Sequence, residues 1–410
     1  MSAASPDRIR TLDLIRGVAV LGILAVNVAS FAAPGSASFS PNLPQPGSTA
    51  DNWAFAFNLV FFEGKMRALF SMLFGASLLL FIERREAQGR DGAFLQVRRL
   101  LWLALLGWLH FVLLWDGDIL FAYACVGLGA LLVRQAPPVQ LVALALPLFL
   151  VWQAWGTISW LPSAALEQQV AEGSASPREI REYAGYVADR RDEDRRDTAS
   201  SLSSYRNEVA ARQAEDPAYP LAVLAANWGE TLSYVMIGMA LLGSGFLAGH
   251  WPRRRMLLLA LGGTAAGLAA TTAFALWAQP RGYPEMAMHM ALGYLLSLPH
   301  LATALGYAAL LVLAAPRVLE TRLGQRIEAA GRMAFSNYLG TTLVMCAIFH
   351  GWGLGLFGRY GAAGQWPFVL LGWALMLGWS GPWLKRYRQG PLEWVWRNLA
   401  EWQLLPNRRT

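Results

Sequence analysis

Ten stretches of this chain are each apolar over about the length of a bilayer crossing, and no other feature restricts the fold as strongly. They are 14–34, 65–82, 97–115, 119–134, 138–160, 221–249, 255–277, 290–314, 333–351 and 366–384. A helix needs about 20 mostly apolar residues to span the hydrocarbon core. In lipid, only helices and closed barrels satisfy every backbone group internally. The expected fold is all-α: a polytopic membrane helix bundle of about ten transmembrane helices, one domain over 1–410. Charged residues are 15% of the chain, where soluble domains carry about 25%. Its 18 tryptophans suit membrane interfaces. A disordered tail, a disulfide scaffold and most soluble enzymes are excluded. Cys125 and Cys346 both sit in apolar runs and read as small buried hydrophobes, and with no metal-ligand spacing, no metal is expected.

The second segment departs from the pattern. Residues 53–62 are also apolar, and Glu63-Gly64-Lys65-Met66-Arg67 interrupts the run. Either 53–62 lies flat at the interface, or the segment is a broken helix. Charges at membrane depth are tolerated where they line a cavity.

Positive charges give the orientation, because cytoplasmic connections are enriched in Lys and Arg. With Arg8 and Arg10 inside, the inside connections carry Arg84, Arg85, Arg90, Arg98 and Arg99, then Arg134. Later ones carry Arg253–Arg255, then Arg317, Arg322, Arg326 and Arg332. The short outside connections carry almost none. Both termini are therefore expected in the cytoplasm, and the net charge of +7 is mostly a topology signal rather than a sign of nucleic acid. One outside connection is long: 161–219 holds 12 acidic and 8 basic residues. Ser176-Pro177-Arg178-Glu179 reads as a capping box, so a polar helix is expected from there to about Ala214. It is either a solvated insertion or a lid over an external site. Residues 385–410 form a cytoplasmic tail in which Trp394 and Trp402 share a helix face, as in an amphipathic helix at a membrane surface.

Charges within spans are costly and point to function by default. Asp13 and Arg16 are three apart and pair on one helix face, with Asn27 further along. A capped helix start and an anion site both fit them. Glu63, Lys65 and Arg67 form a polar network of mixed sign. From Leu100 to Val133 the polar ionisable groups are His110, Asp116 and Asp118. Asp116-Gly117-Asp118 divides that stretch into two short spans, which would sink the turn below the membrane surface. His110 precedes Asp116 by six residues, roughly 9 Å along a helix, so contact requires the loop to fold back or a water between. A packing role and a general-base role both fit His110. Gly331-Arg332 and Ser336-Asn337-Tyr338 place a basic residue and hydrogen-bonding groups at the inner start of the ninth span. His250, His289, His300 and His350 read as interfacial or core residues.

Five segments resemble the YeiB family of bacterial inner-membrane proteins: Arg10–Asn27, Phe62–Gly75 (FEGKMRALFSMLFG), Arg98–Gly127, Gly331–Leu339 (GRMAFSNYL) and Gly390–Arg397 (GPLEWVWR). The opening pattern Arg10, Asp13, Arg16, Gly17 and Asn27 is also similar to that of heparan-alpha-glucosaminide N-acetyltransferase and other transmembrane acyltransferases. The resemblance implies an inner-membrane protein that takes an acyl group, acetyl foremost, from cytosolic acyl-CoA to an external acceptor. Acyl-CoA would be a donor substrate and not a resident cofactor. The implied donor-binding residues are Asp13, Arg16, Asn27, Arg98, Arg99, Arg332, Asn337 and Tyr338. The heparan enzyme's pattern has its catalytic His in the first outside loop. Residues 35–52 contain none, so that role passes by inference to His110, with Asp116 or Asp118 orienting it. The expected partners are membrane lipid, a small-molecule or glycan acceptor and, as an open question, further copies of the chain. The alternative is a transporter or channel for a small solute or ion, since intramembrane Asp, Glu, Lys and His serve ion pathways equally well.

Overall fold

Lipid tails are as apolar as leucine, so a membrane bundle has no reason to bury all its leucines. In the helix Gly92–Leu113, Leu101, Leu105, Leu109 and Leu113 recur every four residues and are all exposed. Such stripes mark the surface that lipid covers. The computed structural model describes residues 9–215 and 217–409, so Arg8 and Asp216 lie outside the described residues.

The first helices are α1 Arg10–Ala32, α2 Thr49–Phe61, α3 Lys65–Glu86, α4 Gly92–Leu113, α5 Leu120–Ala130 and α6 Pro138–Glu172. There follow α7 Pro177–Ser201, α8 Tyr205–Glu215, α9 Tyr219–Gly243, α10 Arg253–Leu258, α11 Thr264–Ala278 and α12 Glu285–Met290. The last are α13 Ser297–Val318, α14 Arg322–Arg332, α15 Ala334–Phe349, α16 Ala362–Arg386 and α17 Pro391–Glu401. Among the described residues, seven helical stretches are long and apolar enough to cross a membrane, Thr49–Glu86 counting as one, and Leu120–Val133 and Ala334–Phe349 are shorter apolar helices. With α9, these match the ten expected segments. No strand occurs among the described residues, only an isolated bridge between Tyr387 and Arg408.

The helix ends gather on two faces. On one, here the terminal face, Arg10 pairs with Glu328 at 2.7 Å and Arg85 and Arg90 clasp Glu401. On the other, the loop face, Gly358 N–H donates to the Ala32 carbonyl and Ala363 N–H to Asp51.

The second span is a broken helix, which decides between the two expected forms. Asn58 of α2 donates to the carbonyl of Ala25, well along α1, so α2 descends between the helices and does not lie flat. The break falls at Gly64, with φ of 71°. A Cβ there would come within 1.9 Å of Nδ1 of His300. Both the backbone and the space therefore demand glycine. The tightest helix contact has the same basis: a Cβ on Gly238 of α9 would meet the Met72 carbonyl of α3 at 1.8 Å. Small residues let such backbones touch where no hydrophobic force drives association.

The insertion differs from the single helix expected. Helix α6 continues past the membrane segment to Glu172, and the polar part is two helices with a turn at 202–204. Ser176 and Glu179 do form the capping box. The insertion is packed on the loop face rather than solvated all round. Ser36 donates to Asp194, Arg190 pairs with Glu285, and Arg212 donates to the carbonyls of Phe111 and Val112. Glu208 accepts from both Arg212 and His350. The tail also docks on protein: Trp396 donates to the Arg99 carbonyl, while Trp402 is 76% exposed.

Candidate functional site

Two cavities enter the bundle from opposite faces. The terminal-face cavity, about 230 Å³, is lined by Arg16, Gln96, Arg99, Tyr123, Arg332 and Tyr338. The loop-face cavity, about 760 Å³, is lined at depth by Asn27, Asn58, Glu63, Arg67, Asn227 and Tyr294. Ile23 of α1 and Ile119 line both. These two aliphatic side chains stand where the cavities approach each other.

Ile119 reaches this position because the turn between α4 and α5 folds back. His110, near the end of α4, receives Asp118 directly: Nδ1 lies 2.8 Å from Oδ1, and both side chains are 1% exposed. Asp118 also accepts from Phe121 N–H at the start of α5. With an ionised Asp118, Nδ1 carries the proton and Nε2 keeps a lone pair. Nε2 has no hydrogen-bond partner among the described residues, and the hydroxyl of Tyr338 has no side-chain partner, only the Ile119 backbone beside it. The Tyr338 and His110 rings lie 5.6 Å apart. Asp116 does not join them. It is exposed, at the loop face, and His110 is paired with Asp118 alone.

The expected donor-binding residues separate. Arg16, Arg99, Arg332 and Tyr338 line the terminal-face cavity. Asp13 pairs with Arg16 at 2.8 Å, while Arg16 also donates to Ser77. Asn27 lines the other cavity, because eleven residues of helix carry it about 16 Å from Arg16. Arg98 turns away, over the rings of Phe94 and Trp402. Asn337 is buried in the framework, bonded to the Ala330 carbonyl, Ser380 and Trp379.

Glu63 and Arg67 line the loop-face cavity near the helix break. Arg67 pairs with Glu230 of α9 at 2.8 Å and donates to Asn227, and Tyr234 donates to Glu230. Lys65 is fully buried and donates to the Leu59 carbonyl at 2.6 Å. Glu230 is a carboxylate within the sixth apolar segment, so the criterion that singled out Glu63 also finds it. Nearer the mouth, His289 is stacked between Phe39 and Trp160, at 3.4 and 5.2 Å. All three line the cavity, and nothing in their sequence spacing brings them together. The insertion borders the mouth through Thr198. Next to it, burial pushes the Asp197 carboxyl up to about 6, although Gly35 N–H donates to it; Asp116, Glu193 and Asp194 add to the rise. Among the described residues no cluster of side chains is suited to a metal ion.

Comparison with known proteins adds a family. The model for a protein of unknown function, DUF418, matches residues 241–403. The chain is 33% identical to "Uncharacterized protein YeiB" of Escherichia coli K12 over 406 residues, 96% of each chain. It is 31% identical to "Uncharacterized protein YxaH" of Bacillus subtilis 168 over 421 residues, 98% of each. No solved structure matches. At that identity over nearly the whole length, the chain belongs to the YeiB family.

Proposed function

We propose that this protein is an integral membrane acyltransferase, moving an acyl group, acetyl foremost, from acyl-CoA at the terminal face to an acceptor at the loop face. The observation that carries this reading is the pair of cavities that share Ile23 and Ile119 in their walls, with the His110–Asp118 pair buried next to Ile119, behind the walls of both. The terminal-face cavity offers Arg16, Arg99 and Arg332 to phosphate oxygens, as charge-assisted hydrogen bonds require. Its lining also includes Tyr123 and Tyr338, and a thioester-bearing arm would run past them toward Ile119. The loop-face cavity has amides and stacked rings, which suit a polar, uncharged acceptor such as a small molecule or a glycan end.

In the transfer, an acceptor hydroxyl or amine attacks the thioester carbonyl. A C–O or C–N bond forms and the C–S bond breaks. His110 Nε2 takes the acceptor's proton and returns it to the leaving thiolate. Asp118 holds the imidazole in the tautomer this needs and stabilises its cation. The arginine distribution supports an inner-membrane protein with both termini cytoplasmic. Purified protein in detergent, heated with acetyl-CoA, CoA or ATP, tests the donor. Specific binding raises stability by about 2.7 kcal/mol at a hundredfold excess over the dissociation constant. A saturable rise with CoA species and not with ATP is expected; no rise in folded protein sinks the reading.

A second reading, a transporter or channel for a small solute or ion, is favoured by one observation: Glu63, Lys65 and Arg67 at the break of a span between two cavities. Proton-coupled solute flux in proteoliposomes, abolished by Glu63→Gln, would favour it over acyl transfer.

A further inference from the structure

The C-terminal helix α17 is attached by two carboxylates, one near each end. Glu401 is held by Arg85 and, at 2.7 Å, by Arg90. Glu393 accepts from the backbone N–H groups of Phe335 at 2.9 Å and Ser336 at 3.1 Å, and from the Ser336 hydroxyl. These are the second and third residues of α15, whose N–H groups have no partner within their own helix. Between the carboxylates, Trp396 lies over the guanidinium of Arg99 at 4.2 Å, and Phe81 covers its other side at 4.0 Å.

Glu393 and Trp396 are also part of the wall of the terminal-face cavity, together with Arg16, Arg99 and Arg332. The N-terminus of a 16-residue helix, in the wall of a cavity that three arginines also line, is chemistry for a phosphate. Tyr338 points independently to a ligand. It is 5% exposed and lines the same cavity, and its hydroxyl has no side-chain partner, only the Ile119 backbone beside it. The group on the α15 N–H donors is thus an anion supplied by the protein itself. Burial raises the Glu393 carboxyl above its ordinary range despite those donors, so the seat does not fully offset the loss of water.

We propose that Glu393 is an internal stand-in for a ligand phosphate, and that α17 is a strap which yields when a phosphate-bearing ligand takes that seat. This deepens the donor-site reading and rests on it only for the identity of the ligand. Glu401 does not line the cavity, so Glu401→Gln loosens the strap without altering the seat. Glu393→Gln weakens the stand-in directly.

The experiment is isothermal titration of full-length protein with coenzyme A and, separately, inorganic pyrophosphate, for wild type, Glu401→Gln, Glu393→Gln and Glu393→Asp. Hydrogen exchange of 391–401 is followed with and without ligand. If the strap is closed about nine-tenths of the time, its release tightens binding about tenfold. Both Gln variants should therefore bind more tightly, Glu393→Asp should stay near wild type, and ligand should speed exchange in α17. Affinity unchanged or weakened in Glu401→Gln and Glu393→Gln, with wild type binding normally, overturns the strap and leaves the donor site standing. Tighter pyrophosphate binding with no advantage for coenzyme A keeps the strap and removes the acyl-CoA donor. No binding by any form overturns both.

Discussion

Arg67 and Arg99 each line one of the two cavities, and their surroundings could hardly differ more. Arg67 is matched charge for charge by Glu230 and fixed further by Asn227. Arg99 has no ion pair among the described residues; it donates to Gln96 and is clamped between the rings of Phe81 and Trp396. A paired arginine holds helices together. One held by rings keeps its charge available for an anion that enters. Arg67 of the loop-face cavity is therefore matched by a carboxylate, and Arg99 of the terminal-face cavity is not.

That contrast can be broken or sharpened by substitution. The largest effect is expected on turnover: His110→Ala should lower acyl transfer by about 10²–10⁴-fold, the usual worth of general-base catalysis. Donor affinity, read by titration, should stay within a factor of two or so. Full activity with a verified acceptor would sink the assignment of His110. Next, Arg67→Gln leaves Glu230 as an uncompensated buried charge and should destabilise the fold by about 3–5 kcal/mol. Adding Glu230→Gln should recover much of the loss in a thermal melt. If Arg67→Gln leaves the melt unchanged, Arg67 is not the structural member of the pair. Arg99→Gln should do the opposite, sparing stability while weakening coenzyme A binding by about 10- to 100-fold, as loss of a charged hydrogen bond does.

The smallest effect concerns the insertion. The Asp197 carboxyl stands at about 6 in the folded protein against an ordinary 3.8. The folded state therefore binds the proton more tightly, and stability falls as pH rises from about 4 through about 6. Asp197→Asn should leave protection of 177–201 against hydrogen exchange unchanged at pH 4 and increase it at pH 7.5. Equal protection of the two proteins at pH 7.5 would show that Asp197 does not set how the insertion docks.

The spans were legible because each is written locally: about 20 apolar residues in a row, ended by arginines, from 14–34 to 366–384. The break at Gly64 was also visible, as charges where lipid allows none, though not its form. What could not be read was long-range pairing. Glu230 meets Arg67, Glu208 meets His350 and Glu393 meets Ser336 across 163, 142 and 57 positions. Nothing in either local sequence names the partner. The same limit explains the residues that went elsewhere. Asn27 shares its helix with Arg16 but opens on the other cavity, and Asp116 is two residues from Asp118 yet faces outward. The amphipathic tail helix was legible from its tryptophans; that its two glutamates also fasten it to protein was not.

Ile23 and Ile119 bear on electrical work as well as on access. Where water-filled spaces enter a membrane from both sides, the voltage falls mainly across what lies between them. Moving one elementary charge through that drop involves about 2.3 kcal/mol per 100 mV. Under the proposed transfer, an uncharged acyl group would pass the two isoleucines without feeling the field, while polyanionic phosphates would stay on the side they came from. The partition would act as an insulator that lets chemistry through and holds current back.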